Sequence, residues 1–169
     1  SEGLITNISN KGPIVSIVTA DDAENIFETR AVLESLIARL YARRASDAQL
    51  KALREAFAML RASYAEDNLP EMLRAKRHFY SVLFEGAANE IAASALRSIH
   101  IKVTQLRSMS LATPGRAEKS LSEVRQIVAL ICKRDEEGAA TAAMKHVQNA
   151  CQTALKALSS TPIRSEEEK

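Results

Sequence analysis

A lysine on the apolar face of a predicted helix is the first feature of this chain that could do chemistry. In the stretch 69–89, apolar residues recur at the i, i+3, i+4 spacing of a helix, and Lys76 completes that stripe. Tyr80 follows one turn later and should project beside it. Burying an ammonium group without a partner costs several kcal/mol, so Lys76 must reach solvent, pair with a carboxylate or face a polar cavity.

A second cation takes the same kind of position in the first predicted helix. Arg30 completes an apolar stripe that contains Ile26, Leu33 and Ile37. Either cation could instead extend its stem along the surface and keep its charge in water. Two cations on the core-facing sides of different helices nevertheless predict one polar chamber inside a helical bundle.

Two further residues are candidates for this chamber. His146 lies on an alanine-rich face of the last predicted helix, where a lone histidine is more often a satisfied core residue than a ligand. His146 and Val124 are equally far from the predicted helix break at Asp135, so they should lie level in neighbouring helices. Arg107 lies at the inner edge of the fourth predicted helix, where it could contact the ligand. Alternatively, its side chain could be solvated at the surface.

Composition narrows the class of protein. Five glycines, four prolines and no tryptophan in 169 residues favour one helical domain with a substantial core. The formal net charge of +2 gives no argument for nucleic acid or membrane binding. No stretch resembles a signal peptide or approaches the roughly 20 apolar residues of a membrane span, so we expect a cytoplasmic protein. Cys132 and Cys151 should lie too far apart along their helices for an intrachain disulfide.

The sequence predicts an all-α antiparallel bundle of about six helices. Thr19 begins the first helix as the cap of a capping box. A continuous fourth helix runs from Asn89 to the break near Thr113. The fifth helix begins near Ser120, and the sixth begins at Asp135.

The two ends of the chain differ from this body. Residues 1–18 contain two short β-prone runs around the turn-forming stretch 10–13, so a short β-hairpin is predicted there. We expect residues 19–158 to form the helical domain and residues 159–169 to form a disordered polar tail.

The helical body resembles the C-terminal effector-binding and oligomerisation domain of FadR-type GntR transcription regulators, the FCD domain, over residues 21–158. The resemblance rests on the RxxxE pattern of Arg30 and Glu34, the aromatic-rich third helix closing on Asn89, and the Asp135 hinge. It implies a homodimer that binds a small effector. The N-terminal hairpin then resembles the wing of a winged-helix domain, and DNA would be bound only through that domain, whose recognition helix this chain lacks.

Many members of this family hold a divalent metal between the third, fifth and sixth helices. The resemblance implies Lys76, Tyr80, Val124 and His146 at the four ligand positions, and only His146 is a ligand type. Because such a site needs about three good donors and an ammonium repels a cation, we expect no metal and no other cofactor. Lys76 would itself supply the positive charge and bind the carboxylate of the effector.

Three functions remain open at this point. The leading hypothesis is the sensor half of a transcription regulator, with a small organic acid bound by five residues: Arg30, Lys76, Tyr80, Arg107 and His146. The second is a helical oligomerisation module with a closed, ligand-free pocket, in which Lys76 pairs with Glu34 or Glu123. The third is an enzyme that uses Lys76 as an imine-forming amine.

Overall fold

The computed structural model describes residues 5–8, 12–15, 18–66 and 68–160. Strands β1 (Ile5–Ile8) and β2 (Gly12–Val15) pair antiparallel, with Ile5 opposite Val15. The helices are α1 (Ala20–Arg44), α2 (Asp47–Ala65), α3 (Leu69–Ala87), α4 (Glu90–Ser98), α5 (His100–Ala112), α6 (Arg116–Cys132) and α7 (Glu136–Ser160). The body is thus all-α as predicted, with seven helices in the described residues instead of about six.

Side-chain caps fix the starts of the first helices. Thr19 Oγ1 accepts a hydrogen bond from the Asp22 amide at 3.1 Å, and the Asp22 side chain accepts from the Thr19 amide, so the predicted capping box is confirmed. Ser46 and Gln49 form the same reciprocal pair at the start of α2. Each cap satisfies amides that the first helical turn leaves without partners.

The predicted continuous fourth helix is wrong, because the backbone leaves helical geometry at Ile99 (φ −98°, ψ 7°). The Ser98 hydroxyl donates to the Ala95 carbonyl at 2.7 Å and satisfies one of the acceptors left at the end of α4. Regular apolar spacing continues through this break, so periodicity alone could not reveal it.

The start near Ser120 that was predicted for the fifth helix, which is α6 in the structure, was also wrong. Gly115 adopts a left-handed conformation (φ 72°), and α6 begins directly after it at Arg116. Ser120 therefore lies a full turn inside α6 and is 1% exposed. The predicted start of the last helix is confirmed, since the Asp135 carboxylate accepts from the Gly138 amide at 2.9 Å. The helix includes Ser159 and Ser160, which were expected in the tail, and residues 161–169 lie outside the described part.

The apolar core has two parts that meet at α1. The larger contains Tyr41, Leu53, Phe79 and Ile131 and joins α1, α2, α3 and α6. The smaller contains Phe27, Leu106 and Val147 and joins α1, α5 and α7. The polar centre described below lies where α1 meets α3, α5, α6 and α7.

Two further expectations can be compared with the described residues. Cys132 and Cys151 are both free thiols, as their spacing predicted. None of the helices in the described ranges has the length and apolar composition needed to cross a membrane.

Candidate functional site

Lys76 lies in the interior, with 2% of its surface exposed. Its Nζ donates a hydrogen bond to Ser120 Oγ at 2.5 Å and lies 3.4 Å from His146 Nε2. No carboxylate of the described residues forms an ion pair with it, so the predicted pairing with Glu34 or Glu123 does not occur. Burial lowers the pKa of Lys76 well below its usual value, and the positive charges of nearby arginines lower it further.

His146 connects this lysine to a second polar group. Its Nδ1 lies 2.5 Å from Glu123 Oε2. Burial, together with the charge of Lys76, lowers the pKa of His146 to about 4. The ring is therefore neutral near pH 7, and we assign the tautomer in which Nδ1–H donates to Glu123 and Nε2 accepts from Lys76.

Glu123 is held by three donors. Besides His146, Arg116 Nη2 donates to Oε2 and Asn149 Nδ2 donates to Oε1, both at 2.8 Å. Burial acts to raise the pKa of Glu123, but the hydrogen bonds and the charge around it bring the value down to about 2. Glu123 is thus an anion, and Arg116 keeps two buried nitrogens without partners, Nε and Nη1.

A second polar group lies between α1, α3 and α5. Arg30 Nε donates to Glu34 Oε1 at 2.8 Å, and the Tyr80 hydroxyl donates to Glu34 Oε2 at 2.7 Å. Burial acts to raise the pKa of Glu34, but Arg30 lowers it below its usual value, so the carboxylate stays ionised. Burial and the charge of Glu34 raise the pKa of Tyr80, which keeps the proton that it donates.

Arg107 is the cation with the weakest compensation. Its guanidinium carbon lies 4.7 Å from the centre of the Tyr80 ring, and 8% of the residue is exposed. Within the described residues it forms no ion pair with a carboxylate. Burial lowers the pKa of Arg107, which shows that the charge is held at a cost. The cation–π contact offsets part of that cost.

The interior therefore carries more positive than negative charge. Four cationic side chains surround two carboxylates, and the members are Arg30, Lys76, Arg107, Arg116, Glu34 and Glu123. The excess is two charges if Lys76 is protonated and one if it is not. An excess of buried positive charge favours binding of an anion.

Several cavities adjoin this cluster. Two of them, of about 820 Å³ and 490 Å³, are lined by Glu123, and two smaller ones lie next to Arg30 and Arg107. The inner cavity, between Lys76 and His146, has a volume of about 10 Å³, enough for about one water molecule. The outer cavity has a volume of about 330 Å³ and lies between α1, α3, α4 and α5, with Tyr80 in its wall. Arg30 and Arg107 line both cavities and separate them.

The five residues predicted to bind a ligand are thus all buried and close together, but they do not surround one open pocket. Tyr80 lines the outer cavity and Lys76 lines the inner one. His146 lines the inner cavity and also a separate pocket of about 490 Å³ beside Glu123. Arg107 is an interior residue, so the surface alternative for it was wrong.

Sequence reasoning missed the contribution of α6. Val124, expected to lie level with His146, is buried in the apolar core, and Ser120 and Glu123 are the α6 residues that contact Lys76 and His146. The available signal was helical spacing, because Arg116, Ser120 and Glu123 follow one another at i, i+4 and i+7 and share a face.

The donor set does not fit the divalent metal that the family resemblance implies. Lys76 carries its amine where a metal ligand would be, and Val124 offers no donor. In the part of the chain that is described, no three His, Cys, Asp or Glu side chains are grouped so that they could hold a metal ion. His146 alone cannot hold one.

The chain is an all-α domain with a closed, cation-rich centre. Comparison with known proteins identifies its family. The family model described as the FCD domain matches residues 25–149, and the chain belongs to this family. The Nta operon transcriptional regulator of Aminobacter aminovorans is 27% identical over 148 residues, which are 88% of this chain and 69% of that protein.

Solved structures show the same fold. E. coli McbR/YncC matches with a TM-score of 0.81 at 13% identity, over 92% of this chain and 78% of that one. Streptococcus agalactiae GntR matches with a TM-score of 0.69 at 22% identity, over 89% and 75%. The relatives are transcription regulators and not enzymes, so the prediction of a GntR-type regulator domain is confirmed.

Proposed function

We propose that this chain is the effector-sensing and dimerisation domain of a GntR-family regulator, and that its effector is a small carboxylate anion. The observation that carries the proposal is Arg107, a buried guanidinium that faces a cavity of about 330 Å³ and forms no ion pair with any carboxylate of the described residues. A cavity of this size is at the lower end of the usual range for small-molecule sites.

The effector carboxylate would bind Arg107 and the open side of Arg30. Arg30 uses its Nε for Glu34, so its terminal nitrogens remain to donate. Tyr80 lies between the two arginines, with its hydroxyl on Glu34 and its ring against Arg107. A carboxylate held by guanidinium groups forms charge-assisted, often bidentate hydrogen bonds, each worth roughly 1.5–3 kcal/mol net.

Lys76 and His146 would act from behind this site. They line the inner cavity, which is too small for a metabolite, and Lys76 adds to the positive potential at Arg30 and Arg107. A bound anion favours the protonated form of Lys76, and its ammonium would then take the place of the metal charge found in other members of the family.

The signal would leave the domain through α1. This helix carries Arg30 and Glu34, packs along α7, and follows directly on the N-terminal strands. We propose that β1 and β2 are the wing of a winged-helix DNA-binding domain, residues 1–18, attached to the helical domain of residues 19–158. A wing without a recognition helix can contact phosphates but cannot read base edges, so the chain alone should show at most weak, salt-sensitive DNA binding.

The inner cavity supports one alternative, a module that only oligomerises. Its volume of about 10 Å³ is what a closed, ligand-free pocket would show. The outer cavity and Arg107 favour the sensor instead. Arg107 forms no ion pair among the described residues and is only partly compensated by Tyr80, and a purely structural core gains nothing from such a buried cation.

A thermal-shift screen of organic acids and sugar acids tests the proposal, since a ligand of the native state raises its stability by mass action. We expect at least one acid to raise the melting temperature of the wild type. Arg107→Met should weaken its binding tenfold or more, whereas Arg125→Met, which removes an exposed arginine on α6 outside the cavities, should not. Failure of every acid to shift the wild type, or equal affinity in Arg107→Met, would contradict the proposal.

A further inference from the structure

We infer that the outer cavity selects a monocarboxylate with an apolar hydrocarbon body, and not a small hydrophilic acid or a dianion. This inference rests on the proposed function, because it specifies the chemical class of the ligand in the same site. It follows from three properties of the cavity: the charge of its floor, the composition of its wall and its volume.

The floor of the cavity can neutralise one anionic group. It is formed by Arg30, Glu34, Tyr80 and Arg107. Glu34 is ionised and balances one guanidinium through its hydrogen bond with Arg30, and Tyr80 is neutral. One positive charge therefore remains, on Arg107, and it matches a single carboxylate. A second buried anionic group would have no cation at the floor to pair with, and unpaired buried charge is costly.

The rim does not provide a second anion site. Arg97 lines the cavity but forms an ion pair with Glu90, and its side chain is half exposed. Arg77 also lines the cavity and is exposed to solvent. An exposed cation interacts weakly with a ligand charge because water screens it.

The wall above the floor is apolar except for Ser81, which is exposed at the rim. Phe84 of α3, Leu96 of α4 and Val103 of α5 line it, and the last two are each 6% exposed. The Phe84 ring extends the aromatic surface of Tyr80, with 6.0 Å between the ring centres. A hydroxylated or otherwise hydrophilic ligand would lose its hydrogen bonds to water against this wall, since these three side chains offer neither donors nor acceptors.

The volume sets the size of the ligand. About 330 Å³ equals the share of roughly eleven molecules of liquid water at about 30 Å³ each. Hexanoate, with about eight non-hydrogen atoms, fits this volume with its carboxylate on Arg107 and its chain along the wall. Acetate would bind the same floor and leave the wall uncovered.

A titration of this chain with acetate, butyrate, hexanoate and hexanamide tests the inference, with affinities measured by calorimetry or by NMR chemical-shift titration. Each buried methylene should raise the affinity about fourfold. Each step from acetate to butyrate to hexanoate adds two methylenes and should therefore raise the affinity about tenfold or more. Hexanamide, which has the same body without the charge, should bind at least tenfold more weakly than hexanoate.

Two matched variants test whether the dependence of affinity on chain length arises at the wall of the outer cavity. Val103→Thr keeps the shape of the wall and adds a hydroxyl, so it should weaken hexanoate severalfold and leave acetate unchanged. Val82→Thr, a half-buried valine of α3 outside the cavity, is its control. If acids bind with equal affinity whatever their chain length, or if Val103→Thr changes nothing, the inference is overturned while the proposed function stands. If none of these acids binds while another acid of the thermal-shift screen does, only the inference is overturned. If no acid binds in either experiment, both are overturned.

Discussion

Replacement of Lys76 with methionine should change how the stability of this protein depends on pH. Methionine has nearly the length and shape of lysine, so packing is kept while the buried amine is removed. Lys76 has 2% exposure and no carboxylate partner among the described residues, and burial together with Arg107 keeps its pKa well below the usual value.

Proton linkage determines whether the stability of the wild type rises or falls with pH. The unfolded chain titrates this lysine near pH 10.4, whereas the folded chain releases the proton at a lower pH. Between the two values the unfolded state binds more protons, so the stability of the wild type rises with pH. The destabilisation is complete below the folded pKa and disappears as pH approaches the unfolded pKa.

The expected slope of the unfolding free energy against pH corresponds to one proton, which is about 1.4 kcal/mol per pH unit. At pH values between the folded and the unfolded pKa of Lys76, wild type should therefore gain up to about 1.4 kcal/mol per pH unit relative to Lys76→Met. The hydrogen bonds that Lys76 makes to Ser120 and His146 are lost in the variant, at about 1 kcal/mol each, but this offset does not depend on pH in that range.

Urea denaturation followed by circular dichroism at several pH values measures this slope, at constant protein concentration. The charge of Lys76 also lowers the pKa of His146, so the difference between the two proteins is assigned to Lys76 only at pH values above the titration of His146. Lys145→Met, which removes an exposed lysine of α7, should run parallel to wild type. If wild type and Lys76→Met also run parallel, the ammonium is compensated in the fold and the cation-rich centre is not what its geometry indicates.

Four further predictions concern metal content, packing, backbone conformation and assembly. Elemental analysis of protein purified without chelator should find far less than one zinc, nickel or manganese per chain, and a stoichiometric metal lost in His146→Ala would contradict the charge replacement by Lys76. Gly86→Ala should lower the free energy of unfolding by roughly 1–3 kcal/mol, because a methyl group there would clash with the Tyr41 ring. In the same denaturation assay Ala88→Gly should be neutral or stabilising by up to about 1 kcal/mol, since Ala88 has φ 49°. Sedimentation equilibrium should give a homodimer at micromolar concentration, and a monomer of 18.5 kDa would refute that expectation.

Local sequence signals determined much of the fold. Four helix starts could be predicted from neighbouring residues alone, because one side chain at each start accepts a hydrogen bond from the amide three residues later. These cap residues are Thr19, Ser46, Asn68 and Asp135. The inward position of Lys76 was also determined locally, because a helical stripe of apolar residues fixes the direction of every side chain within it.

The tertiary structure alone decided which polar groups meet. The sequence places Lys76 inside but cannot state whether its partner is a carboxylate or Ser120, because that depends on how far α3 and α6 are shifted along each other. A shift of one helical turn, about 5.4 Å, separates Val124 from Ser120 at the position facing Lys76. Arg30 and Arg107 separate the inner cavity from the outer one. They belong to different helices, so the spacing of residues within one helix could not predict this separation.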